Sequence, residues 1–258
     1  MSTIMRTIGF LYPGYSAEDD YPTAAGLLGS PDDPAVPKLL VQHTEMREDA
    51  HRVDALLDIG ADDVLAVGAR ELAAGDASCD AVIWACTSGS FVFGWDGAAA
   101  QVEALRTAAG VPASSTSFAF TDAAARLGVS RVAVAATYPE DIAERFVTFL
   151  ATAGVTVVRL SALDIITAAE VGTLGRERVL EVAAAGDHPD AEAVLLPDTA
   201  LHTMAWLDDL EQKLGKPVLT ANQVSIWQGL RLAGDTTART GLGALFRTPP
   251  SDGAGEPR

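Results

Sequence analysis

The chain has 258 residues, 48% of them hydrophobic, and a formal net charge of −17. That length suits one large α/β domain or two similar lobes, and the apolar content supports a sizeable core. The acidic balance, with no basic stripe, argues against nucleic acid or an anionic membrane as a partner, because phosphates are repelled.

The first residues, MSTIMRTIGFLYPGY, lack the apolar stretch and small-residue cleavage site of a signal peptide. No apolar run reaches the roughly 18 residues of a membrane span, so a cytoplasmic protein is expected. Apolar runs then alternate with helical patterns along the chain. Strands are expected at Thr7–Tyr12, Leu39–His43, Val64–Ala66, Ala81–Ala85, Val111–Ser114, Arg131–Ala136, Thr156–Arg159, Ala193–Leu196 and Val218–Thr220. The clearest helical patterns are Ala98–Ala109, Thr121–Leu127, Pro139–Ala153, Gly175–Ala185 and Leu201–Leu214. Apolar strands alternating with helices point to parallel sheets covered on both faces, in doubly wound topology. The loop Gly14–Asp33 carries SAEDDYP, which reads as a solvated acidic face or a lid. The tail Pro249–Arg258 reads as disordered.

The sequence echoes itself. DAVIWACTS (Asp80–Ser88) resembles EAVLLPDTA (Glu192–Ala200), 112 residues later. Val111–Gly128 echoes Lys216–Gly234, with Ser115 matching Thr220, and Tyr12-Pro13 echoes Tyr138-Pro139. Three echoes in the same order imply two pseudo-symmetric α/β lobes with parallel four-stranded sheets: residues 1–115 and 116–234, then a tail over 235–258, with strands free to cross between lobes. Ligands of open α/β sheets bind beyond the carboxyl ends of the strands. Lobes face to face would therefore set Cys86–Ser88 against Asp198–Ala200 across one cleft.

Cys79 and Cys86 are the only cysteines. With extended chain between them they sit roughly 20 Å apart, against the roughly 7 Å a disulfide tolerates, so two free thiols are expected. There is no CxxC or HExxH, and His43, His51, His188 and His202 are scattered, so no metal site is expected. Gly26–Ser30 (GLLGS) is too poor for a phosphate loop, and His202 and Trp206 read as a packed helix face. Cys79 reads as a loop residue. Cys86 stands where an apolar strand gives way to Thr87-Ser88-Gly89-Ser90. Backbone N–H groups and hydroxyls at such a turn can stabilise a thiolate or hold a carboxylate, whereas a structural cysteine would simply fill the core.

DAVIWACTSGSF, the Tyr-Pro after the first strand, Tyr138 after the sixth, and LGKPVLTANQVSIWQGLRLAG resemble the maleate cis-trans isomerase and arylmalonate decarboxylase family, in the Asp/Glu racemase superfamily. The resemblance runs from about Thr7 to Gly234. It implies an active site in the cleft between two lobes, no metal, no organic cofactor, and a cysteine in each lobe with turn hydroxyls and amides gripping a carboxylate. By that resemblance Cys86 is the first-lobe cysteine, Thr87 and Ser88 grip the carboxylate, Tyr138 contacts substrate, and Thr199 follows the second catalytic position. Tyr12 and Pro13 line the cleft if the first strand is central. The second cysteine is replaced by Asp198, Ala200 stands where a polar amide is usual, and Ser16 or Ala17 stands at an early asparagine. Asp198 could carry a proton, orient a cationic substrate group, or cap a helix beginning near Leu201.

The expectation is a cofactor-independent isomerase of a small carboxylate, with Cys86 as nucleophile or proton carrier and Asp198 assisting. The alternatives are decarboxylase-like or racemase-like proton transfer at an α-carbon, ectoine-utilisation-type proteins included, or a carboxylate-binding protein without turnover. No interface stripe is visible, and a homodimer is compatible with the sequence.

Overall fold

The computed structural model describes residues 5–14, 16–30, 33, 35–75 and 78–247. Among the described residues, eight strands form two parallel four-stranded sheets. The first holds β1 (Thr7–Pro13), β2 (Lys38–Thr44), β3 (Ala81–Trp84) and β4 (Ala113–Ser115), in the order β2-β1-β3-β4. The second holds β5 (Arg131–Ala136), β6 (Thr156–Ala162), β7 (Ala193–Leu196) and β8 (Val218–Thr220), in the order β6-β5-β7-β8. Strand for strand the orders match, as the internal echoes require. β3 (AVIW) and β7 (AVLL) are apolar throughout and buried throughout, because a central strand of a parallel sheet has covered faces on both sides. β2 and β6 are only half buried, as edge strands.

Helices cover the sheets and also tie the two halves together. Ser115 and Thr220, matched in the sequence, each cap a helix: Thr116–Leu127 and Ala221–Leu232. Thr220 and Gln223 form a reciprocal capping box. These two helices pack on each other, and the later one lies against β1 and β3 of the first sheet. Gly229 makes that approach feasible, since a Cβ there would sit 2.5 Å from Ile8 Cγ2. Thus each sheet is drawn from one half of the chain, and it is a helix, not a strand, that crosses over.

Three expectations are corrected. Val64–Ala66 is not a strand. It lies in helix Asp62–Ala73, whose buried Val64, Leu65, Gly68, Ala69 and Leu72 follow helical spacing. A short apolar run is ambiguous between the two periods, and the acidic first turn was the better clue. Leu201–Leu214 is not one helix, since a 3-10 turn at Met204–Trp206 precedes helix Leu207–Leu214. His202 therefore shares no helix face with Trp206, and its Nε2 lies 2.7 Å from Asp19 Oδ1.

The stretch Gly14–Asp33 is not loop throughout, and of its acidic residues Asp19 faces solvent. Helix Asp20–Leu28 begins within it, and Asp20 is buried. Its carboxylate accepts from Asn222 Nδ2 at 3.0 Å and from the Thr203 N–H at 3.0 Å, both in the second half of the chain. Burial raises its pKa, and these donors work against that rise. The expectation for Pro249–Arg258 lies outside the described residues. Among those described, no helix is long and apolar enough to cross a membrane.

Candidate active site

Cys86 follows the end of β3 by two residues, and Asp198 follows the end of β7 by two. Equivalent positions in two matching sheets bring both to the carboxyl ends of central strands. Both line one cavity of about 30 Å³. Tyr12, Pro13, Ser88 and Thr199 line it as well. Tyr12 and Pro13 do so because β1 is central, paired to β2 on one side and β3 on the other.

Cys86 is 4% exposed, yet it opens on this cavity rather than being sealed among aliphatic side chains. Its Sγ accepts the Gly89 N–H at 3.3 Å and lies 3.8 Å from Ser88 Oγ. A Cβ on Gly89 would stand 3.0 Å from that sulfur and 3.1 Å from the Trp84 ring, so the turn has no room for a side chain. Gln101 and Trp84 hold the turn from behind. Gln101 Nε2 donates to the Gly60 carbonyl at 2.6 Å and to the Gly89 carbonyl at 2.9 Å, and Trp84 Nε1 donates to the latter at 3.2 Å. The thiol is pushed up to about 12 by burial, against the Gly89 and Ser88 hydrogen bonds and with some help from the Asp198 charge. At neutral pH the sulfur is therefore a thiol. Cys79 is also free, and lies away from the cavity, at the other end of β3. Gln101→Ala strips the Gly60 carbonyl of its side-chain donor and leaves Gly89 with Trp84 alone. Stability is expected to fall by about 1–3 kcal/mol, read as a lower denaturant midpoint at unchanged slope.

Asp198 is held at both oxygens. Thr137 Oγ1 donates to Oδ2 in a close contact, and the Ala200 N–H donates to Oδ1 at 2.9 Å. The carboxylate caps its own turn and not a helix near Leu201, because helix Leu207–Leu214 begins further on. His51 Nε2 lies 3.9 Å from Oδ2.

The remaining expected residues divide. The Tyr12 hydroxyl donates to the Thr199 carbonyl at 2.8 Å, across the cleft, and accepts the Ala17 N–H at 3.1 Å. Asn222 Nδ2 donates to the same Thr199 carbonyl at 3.1 Å, so the Thr199 backbone is fixed from two sides. Thr87 and Tyr138 do not line the cavity; both are buried just behind it. Tyr138 donates to the Pro197 carbonyl at 2.7 Å and would have to release it to bind a substrate oxygen. The Thr87 hydroxyl is buried with no hydrogen bond of good geometry, although it lies beside the Tyr138 phenol. Ser16 lines the cavity as well.

Sequence reasoning missed His51, Thr137 and Gln101. None sits in a motif, and only the fold brings them to residues far away in the chain. The cavity walls include Glu48, Asp49, Asp198 and His51, but no Lys or Arg among the described residues. Any carboxylate bound there must be held by hydroxyls, backbone N–H groups and His51.

Residues 41–246 match the family described as arylmalonate decarboxylase. This chain belongs to that family. It is 33% identical to the arylmalonate decarboxylase of Bordetella bronchiseptica over 163 residues, which is 62% of this chain and 68% of the relative. The crystal structure of the maleate isomerase Iso from Pseudomonas putida S16 superposes with a TM-score of 0.83 at 21% identity, covering 94% of this chain and 98% of that one. A maleate cis-trans isomerase mutant of Nocardia farcinica, carrying a covalently bound succinylcysteine intermediate, gives a TM-score of 0.79 at 23% identity, covering 95% and 100%. The isomerase likenesses establish a shared fold. The arylmalonate decarboxylase family is a family of enzymes, and the resemblance, the two-sheet fold and the reading of the chain as an enzyme all hold.

Proposed function

We propose that this chain catalyses proton transfer at the carbon adjacent to a carboxylate of a small organic acid, with Cys86 as proton carrier on one side and Asp198 on the other. One observation carries this reading. A thiol that burial keeps protonated shares a cavity with a carboxylate supplied by the equivalent strand end of the opposite sheet. A sulfur in that state is a proton donor before it is a nucleophile.

In a decarboxylation of the kind named for the Bordetella relative, one C–C bond breaks and CO₂ leaves. The electron pair stays behind as an enediolate. The Cys86 S–H bond then breaks, its proton forms the new C–H bond, and the thiolate is reprotonated from Asp198 or solvent. In a racemisation, Asp198 takes the α-proton from one face while Cys86 delivers another to the opposite face. In this reading Ser88 and Thr199, with Thr87 and Tyr138 behind them, hold the carboxylate oxygens where enediolate charge develops.

A second reading is the isomerisation first expected from the sequence. The succinylcysteine of the Nocardia neighbour favours it. There a Cys86 thiolate would add to a double bond, the resulting single bond would rotate, and elimination would restore thiolate and alkene. Burial of the thiol makes this the second choice, because its proton must first pass to Asp198.

Turnover in deuterium oxide with substituted malonates, maleate, 2-hydroxy acids and 2-amino acids separates these readings. Deuterium at the α-carbon, with or without loss of CO₂, is the expected result. Double-bond isomerisation without α-deuterium favours the second reading. Saturable binding with no reaction across the panel contradicts both and leaves a binding protein.

A further inference from the structure

His51 lies in the loop between β2 and helix Val53–Ile59 and is only 6% exposed. Its backbone N–H donates to the Ile166 carbonyl at 2.6 Å, and its ring Nδ1 lies 2.9 Å from the Ile165 carbonyl. A carbonyl oxygen only accepts, so Nδ1 carries the hydrogen. That leaves Nε2 as the atom that gains or loses a proton. Nε2 faces Asp198 Oδ2 at 3.9 Å, and the ring lines the cavity that Cys86 shares. The ring is clamped in this orientation. Its edge-on contact with Tyr138 has a centroid distance of 4.9 Å. Two residues earlier, both Asp49 oxygens accept backbone N–H groups of the opposite half, Ala168 at 2.7 Å and Ala169 at 3.0 Å.

Resting on the proton-transfer reading above, we propose that His51 is a further acid–base residue of this site, exchanging a proton with Asp198 so that the two together serve the face opposite Cys86. In the exchange the Nε2–H bond breaks and leaves its electron pair on nitrogen, while an Oδ2 lone pair takes the proton. A cation and an anion become two neutral groups, so the cavity's charge is unchanged. The protonated Asp198 then delivers to substrate, and the reverse steps collect a proton from it. The separation of 3.9 Å calls for a small closing movement or one bridging water, as is common for proton-transfer pairs without substrate. His51 is also the one side chain lining the cavity, among the described residues, that can offset the charge of a bound carboxylate.

The other titratable groups facing this ring do not compete for the role. Tyr138 donates to Pro197, and Tyr12 to Thr199. Each Asp49 oxygen accepts a backbone N–H, and Glu48 is paired with Arg52 at 2.8 Å. Cys86 lines the same cavity from the end of β3 and hydrogen-bonds within its own turn, to Gly89.

Two measurements test the proposal. The first is nitrogen NMR of the His51 imidazole in the full chain. It is expected to show a hydrogen on Nδ1 at every pH and an Nε2 signal that changes in Asp198→Asn. Hydrogen on Nε2 with Nδ1 bare, or an Nε2 signal indifferent to Asp198→Asn, overturns the proposal. The second is kinetic, with His51→Gln, which keeps a polar amide but titrates nowhere near neutrality. The expected loss in kcat is roughly 10²-fold, with KM little changed and one limb of the pH profile gone. Wild-type kcat and an unaltered profile overturn the proposal. Were the wild type to turn over no substrate, the proton-transfer reading would fall with the kinetic test, while the NMR result would still decide whether His51 and Asp198 share a proton. Should His51→Gln not fold, the comparison of wild type with Asp198→Asn stands alone.

Discussion

Cys86→Ser is expected to lower turnover by roughly 10²–10⁴-fold while the protein stays folded. The serine hydroxyl can still accept the Gly89 N–H that the sulfur accepts now, at 3.3 Å. It fits the same turn beneath Gly89, Gln101 and Trp84, so circular dichroism and the denaturant midpoint should change little. What disappears is the acid. Even pushed up to about 12, the thiol gives up its proton more readily than an alkyl alcohol does. The loss should therefore fall on kcat, with binding of a substrate carboxylate nearly preserved. Turnover close to wild type in a folded Cys86→Ser would remove the sulfur from the chemistry.

Asp198→Asn is expected to act in two opposite directions. Turnover should fall by roughly 10²–10⁴-fold, because an amide neither takes nor gives the proton. The reactivity of Cys86 should rise. In the wild type, burial and the Asp198 charge both favour the thiol, so alkylation of the ligand-free protein should keep accelerating as pH rises towards about 12. Without the charge, that rise should begin at lower pH. The amide oxygen can still receive Thr137, but the amide NH₂ then faces the Ala200 N–H. A stability cost of about 1–3 kcal/mol should follow from that one lost partner. Unchanged alkylation in Asp198→Asn would mean that the two side chains do not feel each other, and slower alkylation would mean that the charge acts in the opposite sense.

Much of this architecture is legible in the sequence because burial imposes a pattern. Arg131–Ala136 and Ala193–Leu196 are strands over the expected residues, since central parallel strands need apolar runs, and the edge strand Val218–Thr220 is buried throughout as well. The echo between Asp80–Ser88 and Glu192–Ala200 becomes the equivalence of β3 and β7, and it brings Cys86 and Asp198 to one cavity. Val64–Ala66 misled because three apolar residues carry no period of their own, and the helix is decided by Gly68, Ala69 and Leu72 further on. Asp20 misled because acidic residues in a run usually face water, whereas this one is drawn inward by Asn222 and Thr203 from the opposite half. His51 was illegible for a similar reason. A histidine in a polar loop has no local mark, and only the packing of that loop on Ile165–Ala169 turns its ring towards Asp198. Pairing across a duplicated fold is readable when both members sit in the repeat, and hidden when one does not.

The small volume of the empty cavity, about 30 Å³, bears on how substrate arrives. That is room for one or two waters, so a bound acid must displace its walls. Two walls are strand ends fixed by hydrogen bonds. The third, from Met46 to His51, is loop, and its anchors are the Asp49 and His51 contacts with the opposite half. Substrate entry and the placing of the His51 ring therefore involve the same segment.

The most direct measurement is a crystal structure of the Cys86→Ser protein soaked with a small carboxylate from the deuterium panel. The account places its carboxylate against Ser88 and Thr199, with the adjacent carbon between the residue 86 side chain and Asp198. A carboxylate bound with that carbon remote from both, or held elsewhere on the molecule, contradicts it.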